Sequence, residues 1–171
     1  MGAIEDILKS KKKQKETVEL LCKELKRDSR LIANLMQCFE IGNASQRGSC
    51  MEAIEYVTKE EPEFAENCLD FVIDHIDDDA PRVRWEAARI IGNVASTFPE
   101  KIKSAVPKLL ENATDKGTVV RWSAAFALTE IAKNNKNLKK ELEERFNEIV
   151  KKESNNGVKK IYLKYLKAAG V

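Results

Sequence analysis

Side chains that could form a catalytic or metal-binding site are few and widely spaced in this sequence. His75 is the only histidine, and Cys22, Cys38, Cys50 and Cys68 form no Cys-x-x-Cys pair. A zinc site needs paired cysteines or several histidines, and neither a phosphate-binding loop nor an activated-serine motif is present. We therefore expect no metal, no cofactor and no enzymatic activity. We interpret the cysteines as reduced, half-buried apolar side chains of a cytoplasmic protein.

Aromatic and lysine side chains are the remaining candidates, and their types suit binding more than catalysis. Trp85 and Trp122 lie 37 positions apart, and Trp is enriched at the hot spots of protein interfaces. Two phenylalanines and a histidine lie on one side of a predicted helix over residues 62–77, and lysines replace the phenylalanines 37 positions later. The predicted partner-binding residues are Phe64, Phe71, His75, Trp85, Trp122, Lys101 and Lys108.

Each of these aromatic residues also has a structural interpretation. The tryptophans can cover the seam between neighbouring repeats, with Trp85 lying over Gly48, because a glycine inside a helix permits close packing. The phenylalanines can pack against Leu31 and Leu35 of the preceding unit. His75 is then an ordinary surface histidine.

The elements that carry these side chains repeat along the chain. Residues 78–97 (DDAPRVRWEAARIIGNVAST) and 115–134 (DKGTVVRWSAAFALTEIAKN) share Val-Arg-Trp-x-Ala-Ala, which places Arg84 and Arg121 37 positions apart. Apolar residues follow at i, i+3, i+4 and i+7, a spacing that predicts an amphipathic helix. Pro62-Glu63 and Pro99-Glu100 have the same 37-residue spacing and precede a second apolar stripe. The unit is therefore a helix, a turn and a second helix.

Such a hairpin cannot bury its apolar face alone, so neighbouring units must stack. We predict an all-α fold, an α-solenoid of about four to five stacked helical hairpins that forms one domain over residues 1–171. The predicted units are an N-terminal cap with a degenerate repeat at 1–41, repeats at 42–78, 79–115 and 116–153, and a C-terminal capping half-repeat at 154–171.

The repeated residues resemble those of HEAT or HEAT-like (armadillo-type) repeats, most clearly over residues 62–133. In that family an Asp in the turn and an Arg six residues later form a ladder between stacked units. Asp78 with Arg84, and Asp115 with Arg121, match this spacing. The resemblance implies that these four residues are structural, since the carboxylate can accept hydrogen bonds from helix N-terminal amides and from a guanidinium.

Charge favours a protein partner. The formal net charge is only +2, so the chain lacks the cationic field of a typical nucleic-acid binder. Residues 60–79 contain nine Asp and Glu and no Lys or Arg, which favours a basic partner. No apolar run is long enough for a membrane span, and we expect a monomer or a weak homodimer.

The leading interpretation is a non-catalytic scaffold that presents a helix-lined surface to a partner protein or peptide. A second interpretation is a nucleic-acid-binding protein that resembles HEAT-like DNA repair glycosylases and contacts phosphates with Lys and Arg. A third is a protein that resembles lyase-like chromophore-attachment proteins, in which short HEAT-like repeats also occur. No residue beyond the repeat supports the third interpretation.

Overall fold

The structure is a computed structural model that describes residues 2–171. The α-helices are, in chain order, α1 (Ala3–Lys9), α2 (Gln14–Arg27), α3 (Leu31–Ile41), α4 (Ala44–Glu60), α5 (Leu69–Asp74), α6 (Pro81–Val94), α7 (Val106–Asn112), α8 (Thr118–Asn134), α9 (Lys136–Lys152) and α10 (Asn156–Ala168). Two 3₁₀ helices, Pro62–Asn67 and Lys101–Ala105, precede α5 and α7. No strand occurs within residues 2–171, so the predicted all-α solenoid class is confirmed.

The helices form two layers. In the first layer α2, α4, α6, α8 and α10 pack side by side in chain order. In the second layer α1, α3, α5, α7 and α9 pack against them, and the 3₁₀ helices belong to the same layer. The predicted unit boundaries at 41/42, 78/79, 115/116 and 153/154 fall between helices, and the division of the chain into these units stays a prediction.

Local sequence determines where helices of both layers begin. At α4, the Asn43 side chain accepts a hydrogen bond from the Gln46 backbone N–H, and the Gln46 side chain accepts one from the Asn43 N–H, both at 3.0 Å. This capping box satisfies two amides that have no partner inside the helix. Pro81 and Pro107 lie in the first turns of α6 and α7, where their missing N–H would have had no helical acceptor.

Small residues allow the first-layer helices to approach closely. Ala87, Ala88, Ala124 and Ala125 are fully buried in α6 and α8. A Cβ atom added at Gly92 would lie 2.6 Å from Cδ1 of the Phe126 ring, so the absence of a side chain makes room for Phe126. The alanines of the repeated Val-Arg-Trp-x-Ala-Ala motif therefore belong to the buried sides of α6 and α8, which pack against each other.

One continuous apolar core runs between the two layers, from Ile4 near the start of the chain to Leu166 in the last helix. Its largest fully buried side chains include Tyr162, Phe39 and Phe146. Among the described residues, no helix has both the length and the apolar character required to cross a membrane.

Candidate protein-interaction surface

An arginine ladder connects consecutive units along one edge of the solenoid. Arg84 donates to the Asp115 carboxylate at 3.0 Å, and Arg121 donates to both Glu153 oxygens at 2.9 and 3.2 Å. Arg47 donates in the same way to the Asp78 carboxylate. Each arginine thus pairs with an acidic residue 31 or 32 positions later in the chain.

The six-residue spacing from Asp to Arg corresponds to a backbone hydrogen bond, and the two side chains of one unit do not form the ion pair of the ladder. Arg84 donates to the backbone carbonyl of Asp78 at 2.9 Å, and Arg121 donates to that of Asp115 at 3.0 Å. The carboxylates of Asp78 and Asp115 instead accept the backbone N–H groups of Ala80 and Gly117, which precede α6 and α8. One acidic residue therefore fixes a helix start and receives the arginine of the preceding unit.

The second-layer aromatic candidates pack against the neighbouring helix. The Phe71 ring is half-buried, and its centroid lies 5.0 Å from that of Phe39 in α3. The His75 ring contacts both phenylalanines at 4.6 Å, and its Nδ1 lies 2.8 Å from the Phe71 carbonyl oxygen. Phe64 is half-buried against the core. Only part of each ring is therefore available to a partner. The Phe71 ring contacts Phe39, and packing of the phenylalanines against Leu31 and Leu35 stays a prediction.

The two lysine candidates also have partners within the chain. Lys101 Nζ lies 5.7 Å from the centroid of the Phe98 ring. Lys108 Nζ lies 3.1 Å from the Asp77 carboxylate and 3.4 Å from the Ile73 carbonyl oxygen. Lys108 thus connects α7 to the preceding unit, and its role in binding stays a prediction.

The exposed faces of α4, α6 and α8 carry Tyr56, Trp85 and Trp122 respectively, and we call this surface the first-layer face. Trp122 is 38% exposed, Tyr56 is 50% exposed, and Trp85 is half-buried. Trp85 does not lie over Gly48 as anticipated, because Arg82 occupies that place. A Cβ at Gly48 would be 2.7 Å from Arg82 Cδ, and Arg82 also pairs with Glu52 of α4.

Next to Trp85 in α6 lies the buried residue Glu86, which sequence reasoning did not single out. Its side chain is 5% exposed; Oε1 accepts a hydrogen bond from Trp85 Nε1 at 2.9 Å, and Oε2 is buried without a partner. One feature of the sequence could have indicated this site: Glu86 occupies the position at which the neighbouring repeats have Ser49 and Ser123. Burial raises the pKa of Glu86 to about 7; nearby Arg89 opposes the shift and Glu52 and Glu55 add to it.

The raised pKa of Glu86 predicts a stabilising substitution. The folded state holds a proton that the unfolded state has released between about pH 4.5 and 7, so stability falls as pH rises through this window. We expect Glu86→Gln to exceed the parent by roughly 1–2 kcal/mol in free energy of unfolding at pH 8. The two proteins should be equal near pH 4.5. Urea unfolding at both pH values measures this, and an equal or lower stability of Glu86→Gln at pH 8 would contradict it.

Burial disfavours the reactive thiolate form of three of the four cysteines. Cys22 lines a groove of about 660 Å³ between α2 and α4, and burial raises its thiol pKa to about 11. Burial likewise raises the pKa of Cys50 and of Cys68 to about 12, and thiols with such values are poor nucleophiles near neutral pH. Within residues 2–171, no group of three His, Cys, Asp or Glu side chains could hold a metal ion.

Comparison with known proteins identifies the repeat and the fold. A family model described as a HEAT-like repeat matches residues 81–131. No curated protein matches the chain. A designed armadillo repeat protein in complex with the peptide (KR)4 is 20% identical, with a TM-score of 0.74 over 96% of this chain and 80% of the designed one.

Two further solved structures show the same architecture. Computationally designed armadillo repeat proteins for modular peptide recognition are 18% identical, with a TM-score of 0.74 over 96% of this chain and 80% of theirs. An engineered protein is 18% identical, with a TM-score of 0.69 over 99% of this chain and 86% of its own. At these identities the similarity is one of fold.

Proposed function

We propose that this chain, which is a helical-repeat protein of the HEAT and armadillo type, is a non-catalytic scaffold that binds a partner protein or peptide. The first-layer face is the binding surface. Rigid helices hold its side chains in place, so little conformational entropy is lost when a partner docks. Two of the similar solved structures are designed for peptide recognition or hold a peptide, which supports the same class of partner here.

The observation that carries this proposal is the composition of the first-layer face. Tyr56 and Trp122 are exposed, and Trp85 and Arg82 are partly exposed on the same layer of helices. Trp, Tyr and Arg are the residue types that dominate interface hot spots. Large aromatic side chains on a protein surface lose apolar contact with water when a partner covers them, so their exposure on one layer of helices supports a binding role.

The acidic segment at residues 60–79 supports a basic partner. Lys26, Lys108 and Arg47 pair with three of its nine carboxylates, namely Glu60, Asp77 and Asp78. Six others, Glu61, Glu63, Glu66, Asp70, Asp74 and Asp79, are exposed on the second-layer side of the solenoid. This acidity attracts a cationic partner at long range and would raise its association rate at low salt.

Truncation of Trp122 tests the proposed surface. Peptides selected from a displayed library against the immobilised protein should bind Trp122→Ala at least about tenfold more weakly than the parent, because a buried hot-spot Trp contributes about 2 kcal/mol or more. Isothermal titration calorimetry gives both dissociation constants.

The matched control is Ile41→Ala, which truncates an exposed apolar side chain at the end of α3, outside the first-layer face. It should leave the affinity unchanged. Equal affinities for Trp122→Ala and the parent, with both proteins folded by circular dichroism, would remove the first-layer face as the binding surface.

Nucleic-acid binding is a second candidate because α10 carries four lysines, Lys159, Lys160, Lys164 and Lys167, and no acidic residue. The ladder arginines Arg47, Arg84 and Arg121 already pair with carboxylates, so phosphate contacts would depend on these lysines. A duplex DNA complex at low salt whose affinity falls steeply with added salt would favour this candidate. We expect no such complex.

A further inference from the structure

The ring of Trp122 is already occupied by a side chain of the neighbouring unit. The guanidinium carbon of Arg89 in α6 lies 5.2 Å from the Trp122 ring centroid, at the distance of a cation–π contact. The Arg89 side chain is 34% exposed, although its Nε is buried. A planar guanidinium stacks well on an indole ring, so a guanidinium group is a chemically suitable ligand for the exposed part of Trp122.

A second acceptor for Arg89 lies close by. Arg89 Nη1 is 4.0 Å from Glu86 Oε1, which is too far for a hydrogen bond. Glu86 Oε2 and Arg89 Nε are both buried and lack hydrogen-bond partners. Arg89 can therefore stack on Trp122 or form a paired salt bridge with Glu86. In its present position it gives no hydrogen bond to the Glu86 carboxylate, and its own Nε has no acceptor.

We propose that Arg89 covers Trp122 in the free protein as an internal substitute for the ligand, and that it turns onto Glu86 when a guanidinium group of the partner stacks on Trp122. This inference rests on the proposed function, because it names the group that the first-layer face receives. Glu86 is a positioning residue in this scheme, since it acts on the partner only through Arg89.

The charges around Glu86 couple this movement to pH. On α4 the neighbouring groups are Glu52, which pairs with Arg82, and Glu55, and on α6 itself they are Arg89 and the Trp85 indole N–H. No charged side chain of α8 is among the groups that shift the Glu86 pKa. A salt bridge with Arg89 favours the ionised carboxylate, so partner binding releases a proton. Affinity should therefore rise from pH 6 to pH 8, by up to about tenfold for a free-state pKa near 7.

Substitutions at positions 89 and 86 should have opposite effects on binding of the peptide (KR)4, measured by calorimetry at pH 7.5. Arg89→Ala should bind about threefold or more tightly than the parent, because the internal competitor is gone. Glu86→Gln should bind about threefold or more weakly, because the displaced Arg89 loses its acceptor. The double variant should match Arg89→Ala, since Glu86 acts only through Arg89.

Lys133→Ala is the matched control for charge, because it removes one exposed cation of α8 whose partner is Glu130 in the same helix. It should not reproduce the gain of Arg89→Ala. In Glu86→Gln the rise in affinity between pH 6 and pH 8 should disappear.

Weaker or unchanged binding by Arg89→Ala, or an unchanged pH dependence in Glu86→Gln, would overturn the inference. Absence of (KR)4 binding in every variant would overturn it as well. The proposed function would survive each of these results if a library-selected peptide still lost affinity with Trp122→Ala, so the two failures are distinguishable.

Discussion

Arg121→Ala is expected to lower the free energy of unfolding by about 3–5 kcal/mol, because it leaves a buried carboxylate without its charged partner. The Glu153 side chain is 3% exposed and receives two hydrogen bonds from Arg121. Burial favours the neutral form of Glu153, but the hydrogen bonds from Arg121 and from backbone amides outweigh it and lower its pKa. Arg121 also donates to the carbonyls of Asp115 and Lys116, which would lose that donor.

Chemical denaturation at neutral pH measures this loss. Arg145→Ala is the control, because Arg145 is an exposed arginine that lines the same groove as Arg121. We expect a change within about 0.5 kcal/mol for that surface substitution. Arg121→Lys should be intermediate, since an ammonium keeps the charge and loses the paired geometry. If Arg121→Ala unfolds at the same denaturant concentration as the parent, the ladder does not stabilise the stack.

Gly92→Leu is expected to destabilise the fold by about 3 kcal/mol, because the added side chain would enter space that Phe126 fills. A Cβ at Gly92 would already lie 2.6 Å from Phe126 Cδ1 and 2.9 Å from its Cζ. Phe126 in turn stacks on Trp122 at a centroid distance of 6.0 Å, so displacement of the ring also disturbs the first-layer face. Thermal unfolding and the emission maximum of Trp fluorescence should both change.

Two variants isolate the cause. Phe126→Ala in the Gly92→Leu background should recover part of the stability, since it empties the contested space. Gly48→Ala should be tolerated within about 1 kcal/mol, because Arg82 over that glycine is a flexible side chain that can move, and Ala is the better helix former. A Gly92→Leu protein as stable as the parent would show that α6 and α8 can separate without cost.

The repeat and the helices could be predicted from sequence because both are local properties. The spacing of Ala87, Ile90, Ile91 and Val94 on one helical face requires a buried side, and all four are fully buried. The position of Glu86 in the same helix gave a weaker signal. A carboxylate where the neighbouring repeats have serine marks an unusual site, but its burial and its unpaired oxygen depend on how α4 approaches α6.

Trp85 and Trp122 show the limit of reasoning by repeat position. They occupy equivalent places 37 residues apart, yet Trp85 is half-buried and bonded to Glu86, whereas Trp122 is exposed under Arg89. Their environments differ because the preceding helix differs: Arg89 of α6 lies over Trp122, whereas the equivalent position in α4, the helix before Trp85, is Glu52. Equivalent residues therefore have different roles when their neighbours on the adjacent helix differ.

The sequence by itself determined the helical-hairpin repeat and its period, because apolar periodicity acts within a single helix. The ladder role of Arg84 and Arg121 was implied by the resemblance to HEAT repeats, which did not extend to Arg47. Only the tertiary structure decided that Arg84 and Arg121 reach the carboxylates of the following unit, that Arg82 covers Gly48, and that Arg89 lies between Trp122 and Glu86. Each of these contacts joins residues that are 30 or more positions apart in the chain. The exception is the approach of Arg89 to Glu86, which lies three residues before it. The stacking offset between units sets them, and the periodicity of one helix does not encode that offset.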